Sequence, residues 1–333
     1  MNPLEQALKI LDEGGVVGMP TETVYGLAAR IDREAGLKAI FATKQRPFFD
    51  PLIVHVASIA QARTLTTGWS PLTEALAQAF WPGPLTMVLP KTPAVSSLIT
   101  SGLTTVGLRC PSHPVARQLI EDAGQPLAAP SANLFGRTSP TTAEHVKREF
   151  DGKVFVLEGG PSSVGIESTI VSVSDQGDLR LLRPGSITRE EITRVLQNQQ
   201  TSFRWIEQIE KIEKIMAPGQ MKHHYMPQRP LILTRGPMRD GDLLQRIRSR
   251  LEDLPEEVEG VRLLKPQKVE RVSWIALPND PVLAARQLYQ ALREAGESSA
   301  DVLALVWPLE RREGAWLAVW DRLRKAASLD LEH

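Results

Sequence analysis

The sequence predicts an α/β protein in two parts, and three features carry that reading. Short apolar runs alternate with amphipathic stretches through the first 196 residues, the pattern of strands interleaved with helices. Two neighbouring strand candidates are joined by Asp175-Gln-Gly-Asp178, a hairpin signal, so the sheet should be mixed. After Leu196 the pattern stops, and a second, shorter alternation begins at Leu231.

The elements follow in order. Leu4, Ala7, Leu8 and Leu11 fall at helical spacing, and Gly14-Gly15 ends that helix. Residues 16–19 read as a strand, followed by strand candidates at 52–56, 85–89, 106–108, 127–129, 154–157, 168–173 and 179–182. Helices fit between them at 37–43, 72–80, 115–122 and 143–150. Thr141 with Glu144, and Thr188 with Glu191, have capping-box spacing and mark two helix starts. Beyond Leu196 the chain turns polar, then places Ile206, Ile209, Ile212 and Ile215 every third residue, a short helix without its own core. Residues 217–230, with three prolines, read as an extended tether. The second alternation runs through strands at 231–234, 261–264, 274–277 and 302–307, with helices near 243–251, 282–294 and 316–327. The expected division is therefore 1–196, a linker or lid over 197–230, and a small α/β domain over 231–333.

Thirty-nine basic residues balance 39 acidic ones, which argues against a surface that clamps polyanions throughout, while leaving room for a local basic pocket. Cys110 is the only cysteine, so an intramolecular disulfide and a multi-cysteine zinc site are excluded. The N-terminus carries acids without a basic leader, and the longest strongly apolar run, 302–307, is far short of the ~20 residues of a membrane span. A soluble, cytoplasmic protein with no membrane association is expected.

Common nucleotide and hydrolase signatures are missing. Gly160-Pro-Ser-Ser-Val-Gly165 is followed by Ile166-Glu167 where a P-loop needs Lys-Ser/Thr, and no G-x-G-x-x-G, H-E-x-x-H or G-x-S-x-G occurs. Instead, polar clusters stand at strand ends. Met19-Pro-Thr-Glu-Thr-Val-Tyr-Gly26 is rich in hydroxyls that suit an amino acid's charged groups, or equally a turn that caps the next helix. Lys44 and Arg46 could clamp a phosphate or lie solvated, and His55 could be a core histidine. Arg109 ends an apolar strand, so a buried guanidinium there needs an internal acid or an anionic ligand. Ala128-Ala-Pro-Ser131-Ala-Asn133, with Arg137-Thr-Ser139 after it, lets a ligand approach the backbone closely. Glu167-Ser168-Thr169 and Leu182-Arg183-Pro-Gly185 complete the set.

Taken together the strings PTETVYGLA, KQRPFFDPLIVHV, FWPGPLTMVLP, VGLRCPSHP, LAAPSANLFGRTSP, GIESTIV and LRPG, in this order, resemble the YrdC-like family of L-threonylcarbamoyladenylate synthases. The resemblance spans about residues 5–195, resumes at APGQMKHHYMP and again at GAWLAVWDRLRKAAS, as in the longer, two-domain members. It implies a YrdC-like domain with a twisted mixed sheet and flanking helices, plus a smaller Rossmann-like α/β C-terminal domain. It further implies condensation of L-threonine, bicarbonate and ATP into threonylcarbamoyl-AMP with release of pyrophosphate, Mg²⁺ assisting. The product would serve the tRNA threonylcarbamoyl-transfer machinery for ANN-decoding tRNAs, with at most a weak RNA contact of its own. By motif position, threonine contacts fall to Thr23, His55, Arg109, the backbone at Ala129, and Ser168. ATP contacts fall to Lys44, Arg46, Thr105, Ser131, Ser139, Arg183 and Tyr225. Asp50 stands where the family more often has Asn, and could serve Mg²⁺ or a ribose. No residue is assigned as a general base, and the metal ligands are left unassigned. The alternatives are a carbamoyltransferase-type YrdC domain, whose cysteine-rich regions are missing here, and an RNA-binding module, which would show a steep salt dependence.

Overall fold

The computed structural model describes residues 2–206, 217–219, 224–250, 257–258, 261–262 and 268–331. The helix expected through Ile209, Ile212 and Ile215 lies outside the described residues, as do His223, Leu251 and residues 263–264. The chain divides into two compact units, one of residues 1–134 and 140–220, the other of 135–139 and 221–333.

The first unit holds strands β1 (Val17–Met19), β2 (Gly26–Arg30), β3 (Ile53–His55), β4 (Leu85–Pro90), β5 (Thr105–Arg109), β6 (Leu127–Ala128), β7 (Phe155–Val156), β8 (Thr169–Val173), β9 (Asp178–Arg183) and β10 (Arg204–Trp205). Its helices are α1 (Pro3–Asp12), α2 (Glu34–Lys44), α3 (Ile59–Arg63), α4 (Pro71–Phe80), α5 (Ser97–Thr100), α6 (Pro114–Asp122), α7 (Ala143–Glu149) and α8 (Arg189–Asn198). The strands form one mixed sheet in the order β10-β9-β8-β4-β5-β3-β6-β2-β1-β7. β3–β5 and β4–β8 pair parallel, whereas β4–β5 and the β8–β9 hairpin pair antiparallel.

Period-two alternation assigns the two faces of this sheet. Val54, Met87, Leu89, Leu108 and Val171 join the main core with residues of α2, α4 and α8. Their neighbours Ile53, Val88 and Ile170 point the other way and meet Leu182 and Ala217. On that second face α1 and α6 cover only one end, packing on Val17, Met19, Ala28 and Leu127. The second face therefore also carries Thr105, Gly107 and Arg109 of β5, His55 of β3, Thr86 of β4, and Ser168 just before β8.

Two local expectations are corrected. The loop 19–26 runs into a strand rather than a helix: β2 pairs antiparallel with β1 and with β6. Its small residues Gly26, Ala28 and Ala29 have little intrinsic strand preference, and the two flanking partners decide. The start of α7 is capped by Thr142, whose side chain accepts from the His145 amide, not by Thr141. Thr188 caps α8 as expected, accepting from the Glu191 amide.

The second unit contains β11 (Leu231–Thr234), α9 (Asp240–Arg248), the short pair β12 (Glu257–Val258) and β13 (Val261–Arg262), β14 (Val272–Ile275), α10 (Pro281–Gly296), β15 (Val302–Val306), α11 (Leu317–Ala326) and β16 (Ala327–Asp330). Its sheet has the order β14-β15-β11-β16 with every neighbouring pair parallel. Helices between parallel strands make it a Rossmann-like unit. The helix expected over 316–327 ends at Ala326, and Ala327 opens β16, a strand without a local sequence signal whose ladder comes from pairing with β11.

Candidate active site

The polar residues of the second face are held by one another. β3 and β5 align His55 with Arg109, so both side chains rise from the same level of the sheet. Both are buried. Arg109 forms an ion pair with Glu22 of the β1–β2 loop, NH2 to Oε1 at 2.7 Å. Its Nε, and Nδ1 of His55, are buried and have no hydrogen-bond partner among the described residues. Burial and the Arg109 charge push the His55 pKa down to about 3, so its imidazole is neutral at working pH.

The β1–β2 loop is built by its own hydroxyls. Thr21 Oγ1 accepts from the amides of Thr23 and Val24 and lies 2.9 Å from Thr23 Oγ1. The Thr21 hydroxyl thus closes a turn within the loop, with strand β2 rather than a helix after it, and this holds Thr23 beside Glu22. Ala129 donates its amide to the Ile53 carbonyl at 3.0 Å.

Ser168 joins two strands and a guanidinium. Its hydroxyl is 2.7 Å from Thr86 Oγ1, and Arg183 donates NH2 to Ser168 Oγ and Nε to the Ser168 carbonyl, both at 3.1 Å. Arg183 NH1 also donates to the Pro218 carbonyl at 3.3 Å, seating the start of the tether on the sheet. Ala217 is buried there against Ile53, Val88, Ile170 and Leu182. Gly185 lets the chain after β9 lie against the start of β8: a Cβ at that position would collide with the backbone nitrogen of Thr169. Ala217, Pro218, Thr105 and Thr86 border a void of about 10 Å³, close to the size of one water.

The loop after α2 organises a second set of charges. Lys44 is buried and donates Nζ to the carbonyls of Ser131 and Asn133. These two carbonyls take two of the three protons of a lysine ammonium. Burial, with Arg46 nearby, pushes its pKa well below the usual lysine range. Arg46 pairs with Asp50 at 2.9 Å and also donates to the carbonyls of Asp50 and Pro51, so this arginine shapes its own loop. Burial raises the Asp50 pKa, while Arg46, Lys44 and Arg183 oppose the shift. Lys44, Arg46, Arg183 and Asp50 thus lie within electrostatic reach of one another.

Of the residues proposed from motifs, Thr23, Lys44, Arg46, Asp50, His55, Thr105, Arg109, Ala129, Ser131, Ser168 and Arg183 belong to the first unit, and Ser139 and Tyr225 to the second. Within the second unit Thr138 Oγ1 donates to the Tyr225 carbonyl, and Arg293 donates to the carbonyls of Thr138 and Ser139. Tyr225 packs on Tyr289 and lies under the Arg322 guanidinium, with φ at 66°, a left-handed conformation tyrosine rarely takes. Glu22 and Thr86 were not singled out from the sequence. Glu22 sits between two motif threonines and Thr86 inside FWPGPLTMVLP, so only their pairing reveals them.

Residues 9–185 match the family model described as telomere recombination, and residues 187–328 match the threonylcarbamoyl-AMP synthase C-terminal domain. The chain belongs to the threonylcarbamoyl-AMP synthase family. Among its relatives, the threonylcarbamoyl-AMP synthase of Pyrococcus abyssi is 38% identical over 326 residues, covering 96% of this chain and 93% of the relative. That of Bacillus subtilis is 40% identical over 332 residues, covering 97% and 92%. The crystal structure of Pyrococcus abyssi Sua5 complexed with L-threonine superimposes with a TM-score of 0.80 at 35% identity, covering 98% of this chain and 95% of that one. Both units therefore have counterparts in the family fold.

Proposed function

We propose that this chain is a nucleotidyltransferase that condenses L-threonine, bicarbonate and ATP into threonylcarbamoyl-AMP, pyrophosphate and one water. Its product would pass to the machinery that modifies ANN-decoding tRNAs. One observation carries the reading within the family: Arg109 Nε and His55 Nδ1, both buried and without hydrogen-bond partners, stand at aligned positions of neighbouring strands. Buried polar atoms left in this way mark a place for a ligand's acceptors.

Arg109 would take the threonine carboxylate, and Thr23, neutral His55, Ser168 and the Ala129 backbone would surround its amine and hydroxyl. Lys44, Arg46 and Arg183 supply positive charge toward the phosphates, with Thr105 and Ser131 beside them. Arg183 touches Ser168 directly, so the amino-acid and nucleotide groups share one residue contact. The carbamate formed from the threonine amine attacks the α-phosphorus, and pyrophosphate leaves. The protein's part is to position the two substrates and offset the charge of the transferring group. Tyr225 and Ser139 are assigned to the nucleotide by motif position alone.

Mg²⁺ would accompany the nucleotide. Among the described residues no three His, Cys, Asp or Glu side chains converge on a metal position, and Asp50 is already paired with Arg46. That donor set suits an ion bound mainly by phosphates. No described helix is long and apolar enough to cross a membrane.

The test is pyrophosphate release with each amino acid, with and without bicarbonate. Release should require both L-threonine and bicarbonate. Equal release without bicarbonate would instead indicate simple amino-acid adenylation.

A further inference from the structure

We propose that Glu22 is the ammonium half of the amino-acid subsite and makes it selective for zwitterions over plain carboxylic acids. The inference rests on the reading of Arg109 as the carboxylate partner.

The Glu22 and Arg109 side chains are 7% and 5% exposed, and their ion pair at 2.7 Å is neutral as a unit. Glu22 cannot readily withdraw: its Oε2 accepts from the Ser112 amide at 3.2 Å, and its backbone carbonyl accepts from the Val164 amide at 2.8 Å. The preceding carbonyl, of Thr21, accepts from Ser162 Oγ. A carboxylate arriving at the Nε edge of Arg109 must therefore share one guanidinium with a carboxylate that stays in place. Two carboxylates on one guanidinium leave a net negative charge in a desolvated pocket, a costly arrangement.

Neighbouring titratable groups do not offset that charge. His55 is neutral, and burial pushes the Cys110 thiol up to about 11, so it too is neutral near pH 7. Arg117, the next cation along the chain, is paired with Glu121. The missing positive charge must come with the ligand. In an α-amino acid the ammonium is attached to the carbon that bears the carboxylate, so it enters the same pocket. Glu22 Oε1 engages Arg109 NH2 and retains lone-pair capacity to accept from that ammonium. With Arg109, Glu22, ammonium and carboxylate together, the sum is zero. With a des-amino acid it is one negative charge, and with an amino alcohol one positive charge.

The experiment is calorimetric titration of the full chain with L-threonine, with 3-hydroxybutyrate, its des-amino analogue, and with threoninol. Wild type should bind threonine more tightly than either singly charged analogue by at least about tenfold. Glu22→Gln keeps an acceptor for the Ser112 amide but removes the charge. It should narrow the preference for threonine over 3-hydroxybutyrate by about tenfold, with 3-hydroxybutyrate binding gaining in absolute terms. Glu22→Asp should keep most of the wild-type preference. A merely structural role would weaken both ligands alike. An unchanged ratio in Glu22→Gln overturns the assignment, and so does a wild type that binds 3-hydroxybutyrate as tightly as threonine, whether or not the variant folds. A wild type that binds no threonine at all overturns the functional reading as well.

Discussion

Replacing Arg109 with alanine should expose how much of this fold rests on one buried pair. Glu22, whose side chain is 7% exposed beside Arg109, is left with the Ser112 amide as its one side-chain hydrogen-bond partner among the described residues. Removing one member of a buried ion pair costs about 3–5 kcal/mol, because the remaining charge stays desolvated. In a unit of this size each kcal/mol moves the melting temperature by about 2–4 °C, so a fall of roughly 10 °C is expected. The same substitution should abolish measurable threonine binding, since a desolvated charged contact is lost. The decisive comparison is the double variant Arg109→Ala with Glu22→Gln. Glutamine keeps an acceptor for the Ser112 amide without a buried charge, so the double variant should regain more than half of the lost stability while remaining unable to bind threonine. Differential scanning calorimetry of wild type, single and double variants measures this without any ligand. A single variant that melts with wild type, or a double variant no more stable than the single, would refute the reasoning.

Other expectations follow from individual contacts. His55 has a folded pKa of about 3 against 6.5 for the free side chain, so between those values the unfolded chain binds a proton that the folded chain does not. Stability should fall as pH falls through that window, by up to ~1.4 kcal/mol per pH unit, and His55→Gln should flatten urea-derived stability profiles between about pH 6 and pH 4. Arg183→Lys breaks the fork that holds Ser168 and should raise KM for threonine as well as for ATP by about tenfold, near the ~1.5–3 kcal/mol of a charge-assisted bond; an effect on ATP alone would separate Ser168 from Arg183. Thr142→Ala should cost ~1 kcal/mol in thermal melts as a lost helix cap, and Thr141→Ala less. A chain ending at residue 220 should be more stable than one ending at 200, because the shorter one loses the β10–β9 pairing and the buried Ala217. Tyr225→Ala in the full chain should weaken ATP binding; unchanged ATP affinity removes Tyr225 from the nucleotide site.

By itself the sequence determined what depends on near neighbours along the chain. Apolar alternation placed β3, β4, β5 and the β8–β9 hairpin, and Thr188 capped α8, because strand faces and helix ends are decided within a few residues. Arg109 stood out at the end of an apolar strand, and the ordered motif strings that hold His55, Arg109, Ser168 and Arg183 carried the family resemblance. Tertiary structure decided what depends on partners far away in sequence. β2 is a strand because β1 and β6 flank it, and β16 because β11 does, although neither has a strong local preference. Residues 135–139 group with the second unit although they lie far from it in sequence. Sheet register set His55 level with Arg109, and loop closure brought Glu22 to Arg109 across 87 positions of sequence. A buried charge takes whichever counter-charge the fold delivers, and local sequence patterns carry no record of that distance.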